Sequence, residues 1–338
     1  MVTCICINGM ITKIHDCRGR MISFKKKALS LEKTNTTVME IIQLNCVDVY
    51  NKLYGLHTKH PLVSVVDLTK STSCVNHVKM NYGIYALFLK NGVNCTLKYG
   101  RQNYDYQEGT IVSFAPGQVV EVEMAEAESQ PEVYGLLFHP DLIYGTPLAQ
   151  KMNRYNFFNY AQNEALHLSE QERAIISDCL QKIDYELSYP VDKHSRSLLC
   201  TYIELILDYC LRFYDRQFCT REKVNSDILV RFEELLNDYF SSEECLRKGF
   251  PSVRYFADAV CLSPGYFGDL IKRETGKTAQ DCIQQKIIDL SKKHLLEKRM
   301  NVSEIAYSLG FQYPQHFIRL FKKQEGCTPG EFRKKILD

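Results

Sequence analysis

No stretch of this 338-residue chain is an uninterrupted apolar run near the ~20 residues that a membrane-spanning helix needs. No succession of charged, apolar and small residues marks a secretory signal. The 14 cysteines form no CxxC pair. Scattered in this way, they argue for reduced thiols and a cytoplasmic location, and against a disulfide framework or a structural zinc site. No HxH pair precedes the Pro116-Gly117 turn, and neither an acid–base pair nor a metal triad can be assembled. His57 and His60 stand at a ligand-like spacing, but in an expected loop before a strand, where a solvated or hydrogen-bonded pair is the commoner outcome. His139, before Pro140, is expected to be structural. No cofactor is expected.

Charge is present but unevenly placed. Residues 247–338 hold 17 Lys/Arg against 10 Asp/Glu, residues 1–38 hold 7 against 2, and residues 39–246 hold 18 against 28. A basic tail behind an acidic body suits a protein that meets a polyanion with its tail. Hydrophobic residues make up 45% of the chain, enough for two or three domains with full cores.

The tail is organised around a repeat. In Val302 to Arg333, Ile305, Ala306 and Leu309 mark one face of a short helix, Gly310 supplies a tight turn and Phe311 plugs a core. Pro314 then opens a second helix with Phe317, Leu320 and Phe321 inward, and Gly326 stops it. Val253, Ala257 and Leu262 match Val302, Ala306 and Phe311 at an offset of 49, while Pro264, Leu270, Lys272, Gly276 and Thr278 match Pro314, Leu320, Lys322, Gly326 and Thr328 at 50. Two helix–turn–helix units in tandem are expected, about 253–274 and about 302–324. A helix capped by Thr278 and running to about Glu297, with Ile283, Ile287 and Leu290 inward, joins them.

With its IAYSLGF, HFIRLFKK and GCTPGEFR segments, the tail resembles the DNA-binding domain of the AraC/XylS transcription regulators. From about residue 60 to 140, six strand-length segments rich in β-branched and aromatic residues alternate with turn signals, which suggests a small antiparallel barrel or jelly roll. Its EGTIVSFAPGQ run looks like part of the cupin-like sensor barrel that many of these regulators carry. Tyr82, Tyr85, Phe88, Tyr99, Tyr104, Tyr106 and Phe114 are candidates to line a ligand cavity there.

The expected fold is therefore α+β and multidomain: an N-terminal cupin-like β-barrel with a helical dimerisation segment, then a C-terminal all-α tandem helix-turn-helix domain. Residues 1–38 are a basic extension, 39–165 the barrel, 166–220 the helical segment, 221–227 a polar linker and 228–338 the DNA-binding domain. Met39 is a second candidate start. In the expected helix from about Asp192 to Phe218, Leu199, Ile203, Ile206, Cys210 and Phe213 form a stripe that suits either packing on the barrel or a homodimer seam.

Stepping 100° per residue from a buried Phe267 turns Gly265, Asp269 and Lys272 outward, and the same frame on Phe317 turns out Gln315, Arg319 and Lys322. The resemblance implies that such outward positions read bases. The base-reading candidates are Gln312, Tyr313, Gln315, His316, Arg319, Ser263 and Asp269; the phosphate candidates are Tyr266, Lys272, Arg273, Lys322, Lys323 and Arg333. The second unit is expected to read sequence, because Gly265 and Gly268 have no side chain to reach a base and Asp269 repels phosphate.

The function expected is a sequence-specific transcription regulator, not an enzyme, that contacts two successive major grooves of double-stranded DNA. RNA polymerase and a small-molecule effector in the barrel are further candidate partners. A cupin-type metal enzyme with a DNA-binding tail is the alternative, disfavoured for want of a metal triad. A thiol redox sensor using Cys261 or Cys327 is a third variant that would need low-pKa cysteines, and both are expected instead as small buried hydrophobes.

Overall fold

The computed structural model describes residues 13–15, 21–23, 41–90 except 74 and 76, 95–99, 102–104, 109–124 and 132–337 except 162, 163, 243, 298 and 299. The chain divides into two compact units. One comprises residues 1–158 and 165–210, the other residues 159–164 and 211–338.

In the first unit, β1 (Lys13–His15) and β2 (Met21–Ser23) pair as a short antiparallel ribbon. The expected basic extension otherwise lies outside the described residues. The remaining strands are β3 (Ile41–Leu44), β4 (Val63–Asp67), β5 (His77–Tyr82), β6 (Tyr85–Lys90), β7 (Cys95–Tyr99), β8 (Gln102–Tyr104), β9 (Thr110–Phe114), β10 (Val119–Met124), β11 (Val133–Phe138) and β12 (Leu166–His167). They form two five-stranded sheets, ordered β3-β5-β10-β7-β8 and β12-β9-β6-β11-β4. Every neighbouring pair is antiparallel except β3 with β5.

Among the described residues no ladder closes the sheets into one barrel; they form two open sheets around a shared core, so a β-rich unit is shown and a closed cupin-like barrel is not. The strand-like run from Tyr82 to Lys90 is divided between β5 and β6, because the chain changes sheet at Gly83-Ile84. The Tyr82 N–H bonds the Gln118 carbonyl at 2.9 Å and the Gly83 N–H bonds that of Leu44 at 3.0 Å. Period-2 burial brings Val78, Met80 and Tyr82 of one sheet into the same cluster as Ala86, Phe88, Val112, Phe114 and Leu137 of the other. Three of the proposed ligand-lining aromatics pack on each other there: Tyr82 stacks on Phe114 at 4.9 Å, and Phe114 meets Phe88 at 6.1 Å. Tyr85 stacks on Phe138 at 4.9 Å. Tyr106, and the side chains of Tyr99 and Tyr104, lie outside what is described.

The helices of this unit are α1 (Val47–Leu53), α2 (Pro140–Ile143), α3 (Pro147–Lys151), α4 (Glu170–Glu186) and the first part of α5 (Ser195–Thr220). The Ser169–Glu172 capping box opens α4. His139 accepts the Asp141 N–H as the cap of α2, and His60 accepts that of Leu62. Ile203 and Ile206 are fully buried and Phe213 is 5% exposed. The centre of the stripe is thus core, and a glutamate at Ile206 would place a charge in it rather than free a dimer seam.

The second unit contains the end of α5, then α6 (Glu222–Ser241), α7 (Glu244–Lys248), α8 (Val253–Ala259), α9 (Pro264–Thr275), α10 (Ala279–Leu296), α11 (Val302–Ser308), α12 (Pro314–Glu325) and α13 (Pro329–Leu337). The expected linker at 221–227 is instead mostly the first turns of α6. Asn225, 1% exposed, donates to the Phe218 carbonyl at 2.9 Å, and this bond holds the polar stretch helical.

Phe232 of α6 meets Phe256 at 5.3 Å and Phe267 at 5.2 Å, which fixes the first motif. In the second, Phe317 lies between Phe311 at 5.6 Å and Phe321 at 5.9 Å. The joining helix α10 opens on the Thr278–Asp281 capping box and buries Ile283 and Ile287 as expected. Ile288, rather than Leu290, completes its inner face.

Candidate nucleic-acid interface

Each motif turns at a left-handed residue. Gly310 has φ +83°. A Cβ there would stand 2.7 Å from the carbonyl carbon and oxygen of Gly249, so glycine serves both the angle and the close approach. The position 49 residues earlier is Cys261, with φ +59° and an exposed side chain, which corrects the expectation that its thiol is buried. Cys327 is half-buried. Gly276 and Gly326, at φ +73° and +76°, end the two recognition helices as left-handed caps.

The two recognition helices present different surfaces. On α12 and the turn before it, Gln312, Tyr313, Gln315, His316, Arg319, Lys322 and Lys323 are all exposed, Tyr313 at 59%. Buried Phe317 and Phe321 hold the opposite side of the helix. Tyr313 makes no side-chain cap bond, and Pro314 occupies the first turn. The arrangement presents amide, imidazole, phenol and guanidinium donors together, with two lysines on the last turn. Such a set suits base edges flanked by phosphates.

On α9 Lys272 repeats that exposure. Arg273, also exposed, pairs with Asp215 at 3.1 Å and donates to the Cys219 sulfur at 2.7 Å. Tyr266, expected to touch phosphate, is 3% exposed and packs on Phe218 at 4.8 Å and on Tyr160 at 5.3 Å. Ser263 caps α9 by accepting the Tyr266 N–H, and its own backbone N–H bonds Glu164 at 2.6 Å. Asp269 accepts from the Tyr160 hydroxyl at 2.6 Å. Burial, and then the Asp269 charge, push the Tyr160 phenol far above its ordinary range, so it keeps the proton it donates. Burial also raises the Glu164 carboxyl, against the lowering effect of its bonds from Ser263 and Ala161.

Arg333, another expected phosphate contact, is drawn into the fold. It donates to the Leu295 carbonyl at 2.9 Å and the Met300 carbonyl at 2.7 Å, tying α13 to the end of α10. Arginine at a helix end is often taken up by carbonyls in this way, but the sequence carries no mark separating Arg333 from a surface arginine.

Residues 256–335 match the helix-turn-helix domain family. The match lies within the C-terminal unit. The chain is 39% identical over 80 residues to the uncharacterised transcriptional regulatory protein YesN of Bacillus subtilis, covering 23% of this chain and 22% of that one. It is 35% identical over 83 residues to the bifunctional transcriptional activator/DNA repair enzyme AdaA of the same species, 25% of this chain and 39% of that one. To the arabinose operon regulatory protein of Escherichia coli it is 32% identical over 77 residues, 23% and 26% of the respective chains. The matches span well under half the length of these relatives. The matched helix-turn-helix region contains both motifs almost whole, from Phe256 in α8 to Lys335 in α13. No helix among the described residues is long and apolar enough to cross a membrane.

Proposed function

We propose that this chain is a DNA-binding transcription regulator whose second motif reads base sequence. The observation that carries the reading is the α12 surface, where every outward position holds a donor-bearing side chain on a helix anchored by two buried phenylalanines. Arg319 suits a guanine edge, Gln315 an adenine edge, and Lys322 and Lys323 the flanking phosphates. The 18 residues of α10, at ~1.5 Å each, make a rod of about 27 Å. A rod of that length between two motifs suits successive major grooves, which lie about 34 Å apart along the duplex. The AraC-type resemblance adds a sensor role for the N-terminal unit, with a small-molecule effector, a homodimer and RNA polymerase as its partners.

The test is selection of bound fragments from random DNA with the full chain, followed by titration at several salt concentrations. Enrichment of a defined motif with a steep salt dependence supports the reading. Retention of DNA with no sequence enriched contradicts it.

A further inference from the structure

The DNA-binding reading leaves one carboxylate without a role. Glu164 is 2% exposed, and it accepts from the backbone N–H of Ser263 at 2.6 Å, from the Ser263 hydroxyl and from the Ala161 N–H at 2.6 Å. The Tyr214 hydroxyl holds its carbonyl at 3.2 Å. Beside it the Tyr160 hydroxyl bonds Asp269, and the Tyr160 ring stands edge-on to Tyr266 and to Tyr214. Asn159 and Tyr160 lie over Gly265. A Cβ there would sit 3.5 Å from the Asn159 carbonyl oxygen and the Tyr160 ring, and 3.6 Å from the Asn159 Cβ. All of these residues belong to the second compact unit.

The residues so covered are Ser263, Gly265, Tyr266 and Asp269. Fifty positions later stand Tyr313, Gln315, His316 and Arg319, all exposed. The oddities of the first motif thus share one location. Glycine at 265 lets another backbone come close, and an acid at 269, poor company for phosphate, suits a phenol donor. A carboxylate at the first turn of α9 takes the same N–H and O–H donors that a backbone phosphate would take.

We propose that Asn159, Tyr160, Ala161 and Glu164 form an internal strap that competes with DNA for the first recognition helix. Glu164 holds the place of a phosphate, and the strap lifts before α9 enters a groove. The inference rests on the DNA-binding reading and concerns how that site is regulated. If the strap is closed nine-tenths of the time, apparent affinity through the first motif falls about tenfold.

The 3.6 Å separation between the Asn159 Cβ and a Cβ built on Gly265 lies within the span a disulfide bridges, about 3.5–4.5 Å. The full chain carrying Asn159→Cys and Gly265→Cys is titrated, oxidised and reduced, against DNA selected by the reduced wild type. The wild type and both single variants pass through the same oxidation, to account for the native thiols. The oxidised double variant is expected to bind about tenfold or more weakly, with hydroxyl-radical protection confined to one groove, and dithiothreitol is expected to restore both. Independently of any disulfide, Tyr160→Phe with Glu164→Gln should bind about tenfold more tightly than wild type, with a steeper salt dependence as α9 gains phosphate contacts. Equal affinity and equal footprints for the oxidised and reduced forms, with the bridge confirmed by mass, overturn the strap. So does a Tyr160→Phe, Glu164→Gln chain that binds no better than wild type. A chain of which no form enriches any DNA sequence overturns the DNA-binding reading itself, an outcome distinct from either.

Discussion

The two helix-turn-helix motifs have the same interior and opposite surfaces. Phe267 and Phe317, fifty residues apart, are both fully buried, and both recognition helices begin at proline and end at a left-handed glycine. Outside, α12 is open, while α9 is bonded to Glu164 and Tyr160 on one side and, through Arg273, to Asp215 on another. Packing of the core fixes where a recognition helix stands, and it does not decide what that helix is free to touch. A repeat in sequence is therefore good evidence for repeated structure and poor evidence for repeated function.

The first way to break the comparison is at the shared interior. Phe267→Ala and Phe317→Ala each remove a fully buried ring and should each cost about 3–5 kcal/mol, seen as matching shifts in urea midpoint. A large difference between them would mean that the two cores are not equivalent.

The turns come next. Gly310→Ala meets both a positive φ and the Gly249 backbone at 2.7 Å and should cost about 3 kcal/mol. Cys261→Gly at the matching turn relieves a strained φ of +59° and frees the unfolded chain by a similar amount, so its midpoint should move by less than about 1 kcal/mol. The smallest effect lies on α9 itself. A Cβ at Gly268 meets nothing within 4 Å, so Gly268→Ala should stabilise the chain by about 0.5–1 kcal/mol. Destabilisation would contradict an open face at Gly268.

What the sequence disclosed follows the range of the forces involved. Helix starts at Thr278 and Pro314 were legible because caps and prolines act within four residues. The strands were legible as segments, but not the sheet change at Gly83-Ile84, which depends on partners at Leu44 and Gln118. The polar 221–227 stretch reads as a linker until the bond from Asn225 to Phe218 is seen. The strap was hidden for the same reason. Glu164 lies 99 residues from Ser263 and Tyr160 lies 109 from Asp269, with no local pattern joining them. The oddity of Gly265 and Asp269 was visible, and its cause was not.

The most direct test compares Arg319→Ala with Asp269→Ala on the same selected DNA, by binding titration and by repeat selection. Arg319→Ala should weaken binding by about 1–3 kcal/mol and relax preference at one base pair, with G·C the pair expected. Asp269→Ala, which takes from Tyr160 its bonded partner, should leave the preferred sequence unchanged and binding equal or tighter. A loss of affinity and of sequence preference in Asp269→Ala, with Arg319→Ala unaffected, would contradict the assignment of reading to the second motif.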